Sequence, residues 1–180
     1  MEIIKVLDKE FKLYIKQEEI ENVIKDIASQ INVEYKDRNP LFLVMLNGAF
    51  MFASQLFKEL TIDCETSFVK YASYVGTQSS CEVKELIGLN SSLEGRDVVV
   101  IEDIIDSGFT MKSLLQKLED MKVASVKVAT MLFKPNAFKF DYKIDYIGMN
   151  IGNEFIVGYG LDYNEHGRNY PSIYKIVEEN

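Results

Sequence analysis

Apolar and polar positions change period several times along this chain, and each change predicts an element. Ile20, Val23, Ile24, Ile27, Ala28 and Ile31 recur at three- and four-residue spacing behind Glu18, Glu19 and Glu21. That pattern predicts a helix of about four turns from Gln17, with its apolar stripe on a sheet and its acids at the positive end of the dipole. Leu41 to Leu46 is a continuous apolar run that stops at Asn47-Gly48, and the following AFMFASQLFKEL is apolar almost all round a helical projection. A strand, a tight turn and a largely buried helix are expected. Cys64 to Tyr74 is aromatic and β-branched, which suits a long strand, whereas VGTQSSC breaks the pattern and predicts a mobile loop over residues 75–82. Val83 to Gly88 suits a short returning strand, and Ser91 to Arg96 a connection turning at Gly95.

Val98 to Ile101 is continuous rather than alternating, as in a strand covered on both faces of a parallel sheet. Met111, Leu114, Leu115, Leu118 and Met121 then return to helical spacing, and Ser125 to Phe133 forms another apolar strand ending at Lys134-Pro135. Alternating strands and helices predict an α/β fold, an open parallel sheet flanked by helices. Residues 136–180 turn to Tyr, Gly and Asn without a long helical pattern, and predict short strands and loops laid over the sheet. The expectation is one domain over residues 1–180, with a core of about 17–135 and a hood from about 1–16 and 136–180.

Composition narrows the chemistry. With 47% hydrophobic residues the chain suits an ordinary globular domain. Its 28 Asp and Glu against 20 Lys and Arg give a net charge of -8, the wrong sign for coating phosphate backbones, so no nucleic-acid partner is expected. MEIIKVLDKEF carries no signal-peptide core and no segment reaches membrane-span length, so a cytoplasmic protein without a membrane partner is expected. Cys64 and Cys81 are too few for a disulfide framework and lack zinc-site spacing. With His166 they could supply three metal ligands; free thiols and a loop histidine are the plainer alternative.

The stretch VVVIEDIIDSGFT, Val98 to Thr110, concentrates the candidate chemistry. Ligands of open parallel sheets bind beyond the carboxyl ends of the strands, and Glu102 and Asp103 stand where this strand is expected to stop. Adjacent strand residues point to opposite faces, so the two acids diverge unless the chain turns. Ser107-Gly108-Phe109-Thr110 opens a helix expected from about Met111, where free N–H groups, the dipole and two hydroxyls suit an anion. Asp106 or Ser107 could simply cap the helix. A cap accounts for neither Glu102 nor Asp103. A ligand with a phosphate at one end, vicinal hydroxyls at the other and a divalent cation to offset its charge fits the whole stretch, as a ribose 5-phosphate does.

That stretch resembles the phosphoribosyl pyrophosphate signature of the type I phosphoribosyltransferases. The chain from Leu41 to Pro171 is similar to their hypoxanthine-guanine branch, through Leu46-Asn47-Gly48-Ala49, the loop beginning Ser73-Tyr74, Lys134 and EFIVGYGLDYNEHGR. The resemblance implies transfer of ribose 5-phosphate from phosphoribosyl pyrophosphate to a 6-oxopurine, hypoxanthine before guanine, with Mg2+. It implies that Glu102 and Asp103 hold the ribose hydroxyls or metal-bound water, and that Asp106 handles a proton near purine N7. Asp106, Ser107, Gly108, Phe109 and Thr110 would surround the 5-phosphate, and Asn47, Gly48 and Arg168 the pyrophosphate. Lys134 would reach the 6-oxo group, Phe155 would stack on the ring, the Ile156 carbonyl would face its edge, and Asp162 would sit beside the purine and bind Mg2+ with Glu102 and Asp103. Ser73 and Tyr74 would belong to a closing loop, and a homodimer or homotetramer is implied.

By the same resemblance the Leu46–Asn47 peptide is expected to be cis. Asn47 stands where many relatives carry Lys, Cys81 where the closing loop usually has Gly, and Gly167 where a larger residue is usual. Two rivals share parts of the pattern. A receiver domain also has an acidic pair after a buried strand, but Asp103 to Lys134 leaves no room for its separate phosphoacceptor strand. An RNA-binding regulator on the same fold needs a basic face that this acidic chain lacks.

Overall fold

The computed structural model describes residues 2–75, 81–87 and 92–177, of which 72–75 and 81–87 are described by their backbone alone. Its centre is a six-stranded sheet in the order β5-β4-β3-β6-β7-β8, formed by β3 (Leu41–Leu46), β4 (Glu65–Val75), β5 (Cys81–Ile87), β6 (Asp97–Ile105), β7 (Ser125–Phe133) and β8 (Tyr146–Asn150). The pairs β4-β3, β3-β6, β6-β7 and β7-β8 are parallel, and β5 returns antiparallel along β4.

The continuous apolar runs follow from burial on both faces. Phe42, Val44, Val99 and Ile101 face a core shared with Ile20, Ile24, Ile27 and Ile31 of helix α1 (Gln17–Glu34) and Phe52 and Leu56 of α2 (Phe50–Glu59). Their neighbours Leu41, Leu43, Met45, Val98 and Val100 face the other side, against Met111, Leu114 and Leu118 of α3 (Phe109–Asp120). Each such side chain contributes about 1.5–3 kcal/mol of burial, which holds the central strands and so fixes where their carboxyl ends lie.

A second sheet of four antiparallel strands, in the order β1-β2-β10-β9, forms a hood. It joins β1 (Ile3–Val6) and β2 (Lys9–Ile15) to β9 (Ile156–Val157) and β10 (Ile173–Ile176) around Val6, Phe11, Val157 and Tyr174.

Four differences from the sequence reading concern boundaries. Helix α1 runs for 18 residues, about five turns, because Tyr35 donates its N–H back to the Ile31 carbonyl and extends the ladder. Strand β6 continues to Ile105, since pairing with β7 carries on through Ile105 and Phe133 after pairing with β3 has ended at Ile101. Helix α3 starts at Phe109, directly after Gly108 in a left-handed conformation with φ 85. Tyr146–Asn150, expected in the hood, is instead the edge strand of the central sheet, because it pairs parallel with Ala129 to Phe133.

Ser73 and Tyr74, expected in a loop, lie on β4 opposite Val83 and Glu82, and Cys81 begins β5 opposite Val75. The expected mobile loop is thereby shortened, and its residues 76–80 lie outside the described residues. Among the described residues no helix is long and apolar enough to cross a membrane.

Candidate active site

At the carboxyl end of the central sheet, the turn from β6 into α3 lines a pocket of about 620 Å3 that includes the open space at its mouth. Glu102, Ile104, Asp106 and Ser107 to Met111 form one wall, and Met45, Leu46 and Tyr71 the other. Strand β6 carries the acids here because its middle is fully buried in the sheet and its last residues run on past its pairing with β3, which ends at Ile101.

Glu102 and Asp103 converge instead of diverging, and their carboxyl groups hydrogen-bond each other. Two features permit this. Asp103 Oδ1 accepts the N–H of Ile104 at 2.9 Å, folding the side chain back along its own strand, and Gly48 leaves room beside it. A Cβ on Gly48 would stand 1.6 Å from Asp103 Oδ2. Both carboxyls are pushed up, first by enclosure in the crevice; for Glu102 the Asp103 charge adds to this. Arg168 offsets part of the effect on Asp103.

The loop Asn47-Gly48 follows β3, and the Leu46–Asn47 peptide is cis, as the resemblance implied. Gly160, with φ 97, packs its backbone on this loop, and a Cβ there would stand 2.0 Å from the Gly48 carbonyl oxygen. Arg168 Nη1 donates to the Gly160 carbonyl at 2.9 Å, and Nη2 pairs with Asp162 Oδ1 and Glu165 Oε2, both at 2.8 Å. Glu165 is also within hydrogen-bonding reach of the Asn47 side chain and feels the Lys70 ammonium. Asn47, Gly48 and Arg168 are therefore gathered, in contact with Asp103 on one side and Glu165 on the other.

Lys134 is held by its backbone N–H, which donates to Ile105 O at 2.9 Å. Its side chain, 8% exposed, turns to Asp106, with Nζ 3.0 Å from Oδ2. Phe155 is 47% exposed and stands 6.3 Å from Phe11 and 5.9 Å from Tyr163, centroid to centroid. Ile156 beside it is buried in β9 opposite Lys175. Glu154, one residue before Phe155, feels the charge of Lys134, which places the hood beside the β7 end.

The three carboxylates expected around a metal fall in two places. Glu102 and Asp103 form one pair, while Asp162 is engaged by Arg168 and accepts the Glu165 N–H at 2.8 Å. Among the described residues, His, Cys, Asp and Glu side chains nowhere gather in groups of three or more able to hold a metal. Enclosed oxygen donors with raised affinity for positive charge do fit a hard divalent cation that keeps its waters, so Glu102 and Asp103 fit Mg2+ as a pair and not as a closed cage. Cys64 is a free, half-buried thiol, pushed up by burial, and His166 bridges back to Tyr163 through the backbone.

Sequence reasoning missed Gly160, Glu165, Tyr71 and Tyr142 in this region. A run of three glycines at positive φ, Gly158, Gly160 and Gly167, was the available signal for close backbone approach.

Residues 14–164 match the family described as phosphoribosyl transferase domain. The hypoxanthine-guanine phosphoribosyltransferase of Bacillus subtilis (strain 168) is 42% identical over 163 residues, which are 90% of this chain and 91% of that protein. This chain belongs to the hypoxanthine-guanine phosphoribosyltransferase family. A member from Bacillus anthracis, solved with a HEPES molecule in its active site, superposes with a TM-score of 0.87 at 33% identity, covering 98% of this chain and 100% of that one. A bifunctional TilS/HprT protein of Listeria monocytogenes serotype 4b (strain F2365) is 44% identical over 90% of this chain, which spans 25% of that longer protein's length. Family membership accounts for the order of the pieces: carboxylate pair, Ser107–Thr110 turn, lysine at a strand end, then the aromatic and arginine segments toward the hood.

Proposed function

We propose that this phosphoribosyltransferase transfers ribose 5-phosphate from phosphoribosyl pyrophosphate to a 6-oxopurine, hypoxanthine before guanine, forming IMP or GMP and pyrophosphate in the cytoplasm. The observation that carries this reading is the Lys134–Asp106 pair at the mouth of the Ser107–Thr110 turn. A purine docked there meets an ammonium for its oxygen and a carboxylate for its ring nitrogen. An ammonium donates to a carbonyl and has nothing to accept from an adenine amine, which favours 6-oxopurines.

In the reaction the bond between ribose C1 and the pyrophosphate oxygen breaks, a bond from C1 to the purine nitrogen forms, and the purine proton leaves the ring. Ser107 to Thr110 hold the 5-phosphate at the start of α3, and Asp106 takes or returns the proton near N7. Glu102 and Asp103 hold the ribose hydroxyls, keeping the cationic sugar aligned with the nucleophile. Asn47, Gly48 and Arg168 receive the pyrophosphate, Arg168 by exchanging Glu165 or Asp162 for a phosphate oxygen. Phe155 supplies an exposed ring face for stacking, with the Ile156 carbonyl and Asp162 at the ring edge. Glu102 and Asp103 would hold Mg2+, which would offset charge on the pyrophosphate, while Asp162 stands apart beside Arg168. Ser73 and Tyr74 belong to the arm that closes over the site. Assembly as a homodimer or homotetramer is part of the same reading.

A spectrophotometric assay with phosphoribosyl pyrophosphate, Mg2+ and each of hypoxanthine, guanine, xanthine and adenine tests it. Turnover of hypoxanthine and guanine with none of adenine is expected; turnover of adenine alone would overturn the assignment.

A further inference from the structure

We propose that Tyr142 is a positioning residue that holds the Ser107–Thr110 turn in the shape that receives the 5-phosphate; this rests on the role proposed above for that turn. Nothing in the sequence of the turn itself fixes its peptide planes. Gly108 is left-handed, and glycine alone leaves that conformation free to change.

The segment after β7 supplies what the turn lacks. Lys139 donates its N–H to the Ser107 carbonyl at 3.2 Å, and the Tyr142 hydroxyl donates to the Gly108 carbonyl at 3.1 Å. The Gly108 carbonyl also accepts the Lys112 N–H at 3.0 Å, as the first bond of α3. In a trans peptide the carbonyl and the next N–H point in opposite directions. Pinning the Ser107 and Gly108 carbonyls to residues 139–142 therefore turns the N–H groups of Gly108 and Phe109 the other way, to the open side of the turn. Those are the donors an anion at a helix start uses.

Packing supports the same direction. A Cβ on Gly108 would stand 2.7 Å from both Phe138 Cε2 and the Tyr142 hydroxyl, so the clamp closes directly on the glycine. Tyr142 is itself held edge-on by Phe138, at 5.0 Å between centroids, and stacked with Phe140 at 6.0 Å. Phe140 in turn meets Phe109, the first residue of α3, edge-on at 4.9 Å. Burial, with the Glu102 charge nearby, pushes the Tyr142 phenol far up, so its hydroxyl stays a donor at any working pH. The same segment starts at Lys134, so one stretch of chain sets both the purine contact and the phosphate turn.

Tyr142→Phe removes the hydroxyl and keeps the ring contacts. On the full chain with Mg2+, calorimetric binding of ribose 5-phosphate and of phosphoribosyl pyrophosphate is expected to weaken about five- to ten-fold, the size of one lost neutral hydrogen bond. KM for phosphoribosyl pyrophosphate rises in step, while KM for hypoxanthine, kcat and inhibition by inorganic pyrophosphate, which lacks the 5-phosphate, stay within about two-fold. Tyr142→Leu, which also uncovers Gly108, is expected to lose more of the same affinity. Unchanged binding of both sugar phosphates by Tyr142→Phe overturns the proposal alone. Equal weakening toward pyrophosphate, with a lowered Tm, also overturns it, since that marks a merely structural role. Failure of the unsubstituted chain to bind ribose 5-phosphate overturns the role of the turn, and this proposal with it.

Discussion

Lys134 Nζ donates to Asp106 Oδ2 at 3.0 Å from a side chain that is only 8% exposed, so the ammonium and the carboxylate to which the proposed function gives the purine are already partners. The lysine is fixed from below by its backbone bond to Ile105, whereas the aspartate side chain is 53% exposed and faces the pocket. On the proposed function a purine would insert next to an existing charge pair, and the two groups would share a proton change on the ring without either becoming an isolated buried charge.

Asp106→Asn should lower turnover by about 10²-fold or more, the usual contribution of a positioned proton-transfer group. The amide still accepts from Lys134, and the exposed position screens the charge, so stability should change by less than about 1 kcal/mol. Steady-state kinetics should show KM for phosphoribosyl pyrophosphate little altered. An unchanged kcat would remove Asp106 as the proton-handling group.

Glu102→Gln should stabilise the ligand-free protein. Enclosure and the Asp103 charge both work against ionising Glu102 in the folded chain, and the amide removes that conflict while keeping a donor to Asp103. A gain of about 0.5–2 kcal/mol in chemical denaturation is expected, together with weaker phosphoribosyl pyrophosphate binding, the trade usual at functional sites. Loss of stability on substitution would show that the pair is held by contacts outside the crevice.

Gly160→Ala should fail twice. Its φ of 97 suits glycine, and the added carbon would meet the Gly48 carbonyl at 2.0 Å, with backbone on both sides and no flexible side chain to yield. A cost of about 1–3 kcal/mol is expected from the conformation alone, and the displaced Gly48 would then press on Asp103. Thermal melts and KM for phosphoribosyl pyrophosphate should both move; a variant with wild-type values would mean that the hood shifts freely over the loop.

At the opposite end of the sheet, Glu34 pairs with Lys127 and accepts the Tyr146 hydroxyl, and these hold its carboxyl below the ordinary glutamate range, Lys127 first. A lowered folded pKa means stabilisation that is fully present above the unfolded value, about 4.3, and is lost as pH falls through the lower folded value. Because both side chains are partly exposed, the contribution should be about 0.2–1 kcal/mol. Denaturation midpoints of the wild type and Glu34→Gln should differ by a constant amount from neutral pH to about 5 and converge at more acid pH. A gap that widened in acid would contradict the sign.

Much of the fold and the candidate site was legible in the chain because its signals are local. Leu41–Leu46 and Ser125–Phe133 are runs whose apolar character comes from burial on both faces, and their bounds match β3 and β7 residue for residue. Glu102, Asp103, Asp106 and Ser107 are neighbours in sequence, so their presence at one strand end needed no knowledge of distant contacts. What was misplaced depends on pairing partners. Glu102 and Asp103 were expected to splay, and come together where pairing with β3 has ended and Gly48 leaves space. Tyr146–Asn150 alternates too weakly to announce a strand, and joins the sheet because β7 has an open edge beside it.

By itself, then, the sequence determined the α/β alternation, the acid-and-hydroxyl turn and the order of the pieces around it, since these follow from periodicity and adjacency. Tertiary structure alone decided that Gly160 lies on Gly48, that Arg168 is shared between Asp162 and Glu165, and that Tyr142 grips Gly108. The first and last of these contacts join residues far apart in the chain through backbone approach and a single hydrogen bond, and the short-range Arg168 pairs depend on how their loop is folded, so none leaves a periodic trace in the residues that make it.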